Sequence, residues 1–238
     1  MLLEVKELYK KFGSKAVIEN LNLHLHSNEI VALMGQNGVG KTTLLNILTG
    51  LIYPDSGDVT IEGKNLFNQV EIRKQIGYIP VDGFFYDHLN AYENLEMVAC
   101  LYGVKPKKTD IEQLLEQVGL YPEDAKRPTG TYSSGMKQKL NFASGMIHQP
   151  KLLVLDEPFN ALDPQTTSIF KNLLKDFVNK GKGILFTSHL PETILQLADR
   201  VVVMSNKKIE SELTLEKSLR VEQLLNWFNS AINIGGYQ

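Results

Sequence analysis

The sequence is poor in cysteine and tryptophan, with one of each, Cys100 and Trp227, among 238 residues. A lone cysteine excludes an internal disulfide and fits a reducing compartment. Long apolar runs are missing too: none approaches the ~18–20 residues that cross a bilayer. Neither sign of charge dominates, since 25 Lys and Arg stand against 27 Asp and Glu for a net charge of −2. That balance removes the electrostatic grip of a nucleic-acid binder, so no nucleic-acid partner is expected. Internal repeats and low-complexity tracts are absent. The first residues, Met1 to Gly13, carry acids where a signal peptide needs an apolar stretch. What remains is ordinary globular composition, 43% hydrophobic and 22% charged, in a chain long enough to bury a large core. Composition alone predicts a soluble cytoplasmic protein.

Short apolar runs rich in Val, Ile and Leu recur at Ile30–Met34, Ile76–Ile79, Lys151–Leu155, Gly183–Thr187 and Val201–Met204. Continuous apolarity of this kind marks strands buried on both faces of a parallel sheet. Helical patterns separate most of them, over Thr42–Leu51, Gly135–Ile147, Pro164–Asn179 and Pro191–Leu197. The alternation predicts an α/β fold. Leu2–Leu8, Ala16–Leu25 and Asp58–Ile61 alternate apolar with polar residues, which predicts an antiparallel sheet beside the first core strand and helix. From about residue 82 to 132 no buried strand is visible. Helical spacing ends there at Gly103 and Gly119, so this stretch reads as an all-α insert. Residues 221–238 form a tail whose amphipathic helix is expected to pack on the core.

Gly35, Gln36, Asn37, Gly38, Val39, Gly40, Lys41 and Thr42 fit the pattern GxxxxGK[ST] between a buried strand and a helix. Glycines let such a backbone curl into a nest of N–H groups, and the helix N-terminus favours anions. Lys41 supplies a point charge for the β- and γ-phosphates, and the Thr42 hydroxyl is a ligand for Mg²⁺. Thr43 continues the motif into the helix. A guanine-reading NKxD stretch is missing, which demotes a GTPase.

Lys151–Leu155 runs into two adjacent carboxylates, Asp156 and Glu157. A strand delivers its last residues to the carboxyl edge of the sheet, where ligands of open α/β folds sit. Asp156 is placed to hold Mg²⁺ or its water, and Glu157 to polarise the water that attacks the γ-phosphate.

With these residues in view the chain resembles the ABC-type ATPases. Gly35–Thr42, Tyr132–Met136, Asp156–Pro158, Asn160–Asp163 and His189 are similar in order and spacing to that family's Walker A, signature, Walker B, D-loop and switch histidine. The resemblance runs from about Leu2 to Ile209. It implies a P-loop NTPase (RecA-like) fold, mainly a parallel sheet, with an antiparallel β subdomain and an inserted α-helical subdomain. Residues 1–220 would be the ATPase domain. It implies ATP and Mg²⁺ as ligands and a head-to-tail dimer with a second copy or a paralogous subunit. An integral membrane permease would hold that dimer on the inner face of the membrane. By the same resemblance Ser133, Ser134 and Gly135 meet the γ-phosphate in trans. His189 positions the water, and Asp163 links the two sites. Ser133 as a plain helix cap is the competing reading, and capping by Asp163 before Pro164 is compatible with its interface role. Phe12 matches the family's adenine-stacking aromatic, with Tyr9 as competitor.

The pattern breaks in two places. After Pro80 the family carries a glutamine that contacts Mg²⁺ and water and senses the membrane partner; this chain has Val81, which offers no donor or acceptor. Asp82 is the open substitute, although a shift of one residue at a strand end reverses side-chain direction. The signature carries Ser134 where a second glycine is common and Met136 where glutamine is common. A side chain at Ser134 loosens the approach of backbone to phosphate. The expected function is ATP hydrolysis driving a membrane transporter, at a rate reduced by Val81. The short chain and small helical insert point, within the family, to export. Two alternatives stand beside it: a soluble ABC protein of the ribosome or nucleic acid, and a weakly catalytic subunit that uses ATP mainly to dimerise.

Overall fold

The computed structural model describes residues 1–160 and 162–233. Ala161, inside the D-loop-like segment, and residues 234–238 of the tail lie outside the described residues. One sheet is antiparallel, with β1 (Leu3–Phe12), β2 (Lys15–Leu25), β4 (Ser56–Ile61) and β5 (Lys64–Asn65) in the order β2-β1-β4-β5. The other holds β3 (Glu29–Met34), β6 (Ile76–Ile79), β7 (Leu152–Leu155), β8 (Gly183–Thr187), β9 (Arg200–Ser205) and β10 (Lys208–Thr214). Its order is β10-β9-β3-β8-β7-β6, parallel throughout except for the β9–β10 hairpin. The helices are α1 (Lys41–Leu48), α2 (Val70–Arg73), α3 (Ala91–Leu101), α4 (Lys108–Gln117), α5 (Pro122–Ala125), α6 (Ser134–Met146), α7 (Pro164–Asn179), α8 (Pro191–Leu197) and α9 (Val221–Asn233).

The five core runs are almost wholly apolar because the parallel sheet divides two cores. On β3, Ile30, Ala32 and Met34 face one core while Val31 and Leu33 face the other. β7 and β8 split the same way, with Leu153, Leu155, Ile184 and Phe186 on one side and Leu152, Val154 and Leu185 on the other. The first core is closed by α3, α4, α6, α7, α8 and α9, and the second by α1 and the antiparallel sheet. Between residues 80 and 151 the backbone holds helices and turns only. Its α3 starts on a reciprocal cap, Asn90 with Glu93, and stops before Gly103 at φ +73°. The tail helix α9 buries Leu224 and Ala231 against the same core.

Several boundaries differ from the sequence expectation, and β1 runs on to Phe12 instead of ending at Leu8. α1 stops at Leu48 instead of Leu51, since Gly50 takes a left-handed turn at φ +74° that ends the helix. β10 was not anticipated, because an edge strand keeps a half-exposed, mixed pattern instead of a buried run. A backbone-to-backbone approach fixes α6 on the sheet edge: any Cβ on Gly77 of β6 would strike the Gly145 carbonyl of α6.

Candidate functional site

The loop from Gly35 to Gly40 joins β3 to α1. Gly40 sits at φ +115°, a conformation closed to L side chains, and a Cβ there would lie 2.9 Å from the Met204 side chain. That turn brings the next residue, Lys41, back over the loop, where its ammonium donates to the carbonyls of Gly35 (2.7 Å) and Gln36 (3.1 Å). Burial pulls the Lys41 ammonium below its usual range, and the Glu157 and Asp156 carboxylates oppose that pull. Thr42, one residue into the helix, donates its hydroxyl to Asp156 Oδ2 at 3.1 Å. Loop and acid pair, 114 residues apart in sequence, therefore meet at one edge.

The acids end β7, and the neighbouring strand β8 delivers Thr187 and His189 to the same edge. Asp156 is 5% exposed, and the side chain of Glu157 is 11% exposed. Glu157 takes a left-handed backbone at φ +47°, which turns its carboxylate away from the strand direction. Its Oε2 accepts from the His189 backbone N–H at 3.3 Å. The His189 ring brings Nε2 within 3.1 Å of Oε1 but off hydrogen-bonding geometry, so Oε1 is buried without a hydrogen-bond partner among the described residues. Burial pushes the Glu157 carboxyl up from its usual range, against the pull of His189 and Lys41. A buried, unpartnered, basic carboxylate oxygen is an acceptor waiting for a donor such as water.

A cleft of about 380 Å³ lies over this edge. It is lined by Phe12 at the tip of the β1–β2 hairpin, by Asn37, Gly38, Gly40, Lys41, Thr42 and Thr43 of the loop, and by Asp156, Glu157 and His189. Tyr9, the competitor for adenine stacking, does not line it. Phe12 is 49% exposed, free to take a flat ring. Val81 opens onto the cleft and Asp82 does not. Ser133, Ser134, Gly135 and Asp163 lie outside the cleft as well. Ser133 caps α6 by accepting from the Met136 N–H at 3.3 Å, and Asp163 caps α7 by accepting from the Thr166 N–H at 2.9 Å. Both are exposed.

Two residues escape a reading of the sequence. Thr187 is fully buried, and its hydroxyl accepts from the Glu157 N–H (2.8 Å) while donating to Asp156 Oδ1 (2.7 Å). Within Gly183–Thr187 it reads as one more β-branched strand residue. Asn141 of α6, 2% exposed, donates to the Pro80 carbonyl at 2.8 Å and so holds the Val81 loop against the helix. The available signal was a lone amide on an apolar helix face, which must find a partner. For a divalent cation, the hydroxyl of Thr42 and the carboxylate of Asp156 are the hard oxygen donors Mg²⁺ requires, and they already touch. The residues fit the ion.

The ABC transporter family model matches residues 18–160. The lantibiotic transport ATP-binding protein SrtF of Streptococcus pyogenes is 36% identical over 225 residues, spanning 94% of this chain and 96% of that protein. The bacitracin transport ATP-binding protein BcrA of Bacillus licheniformis is 37% identical over 217 residues, 90% of this chain and 70% of the relative. Among solved structures, an ATP-binding subunit of an ABC transporter superposes with a TM-score of 0.86 at 29% identity, covering 96% of this chain and all of that one. A dimeric ATP-binding cassette in a post-hydrolysis state, bound to ADP and Pi, superposes at 0.82 with 25% identity over 90% of this chain and 99% of that one.

Proposed function

The chain belongs to the ABC transporter family of ATP-binding proteins, and from that membership we propose that it powers an export transporter whose permease holds it at the inner face of the membrane. It is the ATP-binding and ATP-hydrolysing subunit. Among the described residues no helix is long and apolar enough to cross a membrane, so a separate membrane subunit would carry the pathway. The observation that carries the catalytic reading is the buried, unpartnered Glu157 Oε1 beside His189, on the same edge as Lys41, Thr42 and Asp156.

In this reading the loop N–H groups and Lys41 bind the phosphates and Phe12 stacks on adenine. Thr42 and Asp156 would hold Mg²⁺, which when bound would offset the charge of the phosphates. Glu157 accepts the proton of the attacking water as its oxygen bonds to the γ-phosphorus and the bridging bond to ADP, the leaving group, breaks. His189 keeps the Glu157 carboxylate and that water in register. Ser133 to Gly135 lie outside the cleft of their own chain, so they serve the γ-phosphate of a second copy or paralogue, with Asp163 at the same interface. The exposed Val81 loop and the helical insert face the permease. Relatives named for lantibiotic and bacitracin transport support the transport assignment.

The test is Glu157→Gln. The variant should bind ATP, run as a trapped dimer on size exclusion with ATP, and lose hydrolysis by more than about a hundredfold. Hydrolysis at the parent rate would remove Glu157 as the base.

A further inference from the structure

We propose that Thr187 is a positioning residue for ATP hydrolysis: its buried hydroxyl fixes the orientation of both strand-end carboxylates, Asp156 and Glu157. The inference rests on the ATPase reading above and adds a residue that no motif contains. Gly183–Thr187 is otherwise apolar and fully buried. A hydroxyl placed there loses water and must be satisfied inside the protein, whereas valine would fill nearly the same space without that demand. Both of its hydrogen bonds go to the acid pair. Its O–H donates to Asp156 Oδ1 at 2.7 Å, and its oxygen accepts from the Glu157 N–H at 2.8 Å.

Each bond has a geometric consequence. Asp156 is gripped at both oxygens, Oδ1 by Thr187 and Oδ2 by Thr42 at 3.1 Å, so the carboxylate cannot rotate about its own axis. The plane in which it offers lone pairs to a cation is set before any ligand arrives. Glu157 stands in left-handed backbone at φ +47°, a conformation that needs outside support in a side-chain-bearing residue. Its N–H is directed into Thr187, and the Asn160 N–H closes on its carbonyl at 3.2 Å. The turn that aims the base is thus pinned from the adjacent strand. As a β-branched residue in a packed strand, Thr187 has little χ1 freedom, so its hydroxyl direction is fixed as well.

Thr187→Val and Thr187→Ser separate this role from simple core packing. In Thr187→Val, kcat should fall about tenfold to a hundredfold while KM for ATP moves less than about threefold, as expected for lost hydrogen bonds to a charged site. Thr187→Ser, which keeps the hydroxyl and drops a methyl, should stay within about threefold of the parent kcat. A readout independent of turnover is the affinity for Mn²⁺ in the presence of ADP, followed by electron paramagnetic resonance; it should weaken about three- to tenfold in Thr187→Val and not in Thr187→Ser. If Thr187→Val does not fold, Thr187→Ala takes its place against the serine variant. Folded Val or Ala protein with parental kcat and Mn²⁺ affinity overturns the proposal, as does a serine variant as slow as valine. If the parent chain itself shows no turnover, the ATPase reading falls and the Mn²⁺ measurement alone decides the role of Thr187.

Discussion

The strand-end edge and the segment that starts α6 are built in opposite ways. At the edge, Thr42, Asp156, Glu157, Thr187 and His189 are tied together across β7, β8 and α1, and the acids are nearly dry. At the start of α6, Ser133 and Ser134 stand in solvent, with one side-chain cap bond in which Ser133 Oγ accepts from the Met136 N–H. The edge holds its groups in fixed directions in a low-dielectric setting, where charge stabilisation is strongest. The helix start offers a hydroxyl and free N–H groups to a ligand that its own chain does not bring to it. In the function proposed above, one chain therefore carries a finished half-site and an unused one, and a head-to-tail pair would make both complete.

The largest expected effect comes from breaking the unused half alone. Ser133→Arg removes a cap worth about 1 kcal/mol and places bulk where a partner's phosphate would sit. ATP affinity of the single chain, followed by fluorescent-nucleotide titration, should change less than about twofold, while phosphate release falls more than about a hundredfold. Unchanged turnover would mean that the site works without a partner signature.

The seam between the helical insert and the core gives the next effect. His148, 8% exposed, stacks on Tyr102 at the end of α3 with ring centroids 3.6 Å apart, and its Nε2 lies 3.1 Å from the Ile76 carbonyl. Its Nδ1 has no hydrogen-bond partner among the described residues. Burial, with Lys182 adding to it and the Ile76 carbonyl opposing it, pushes the ring's pKa down to about 4. The folded chain keeps the ring neutral while the unfolded chain protonates near the usual 6.5. Stability from this site is therefore present above pH 6.5 and is lost as pH falls towards 4. At pH 5 the loss is on the order of 2 kcal/mol. His148→Phe should flatten that part of the stability–pH curve in chemical denaturation; an unchanged slope would show that the ring is not held neutral.

The smallest effect lies on the border of the two regions. Val81 lines the cleft but offers no polar atom. Val81→Gln should raise ATPase turnover about two- to fivefold. No rise, or a fall, would show that the loop pinned by Asn141 cannot deliver a side chain to the water.

Much of this was legible in the sequence, for physical reasons that differ by element. α7 and α8 begin and end at the residues read from the pattern, because Pro164 and Pro191 each mark a first helical position. The buried strands were visible because two cores leave little room for polar residues in the middle of β3, β7, β8 and β9. The phosphate loop and acid pair announce themselves because their chemistry demands particular residues at fixed spacing. β10 hid because half its residues meet solvent. Thr187 and Asn141 hid because their partners, Asp156 and Pro80, lie 31 and 61 residues away, and only the folded chain brings them together. The trans role proposed for Ser133 rests on a second molecule, which no single chain displays.

The contact of Gly77 with Gly145 has a mechanical consequence. With backbone against backbone at its C-terminal end, α6 cannot move closer to β6, and a side chain at either glycine would force the two apart. A tilt about that point would act on the far end through the whole length of the helix. Twelve residues separate Gly145 from Ser133, a lever arm of about 18 Å at 1.5 Å per residue. A tilt of about 3° at the anchored end therefore moves Ser133 by about 1 Å, enough to make or lose a hydrogen bond to phosphate. Asn141 grips the Val81 loop part-way along this arm, so a small push at the loop arrives enlarged at the serine.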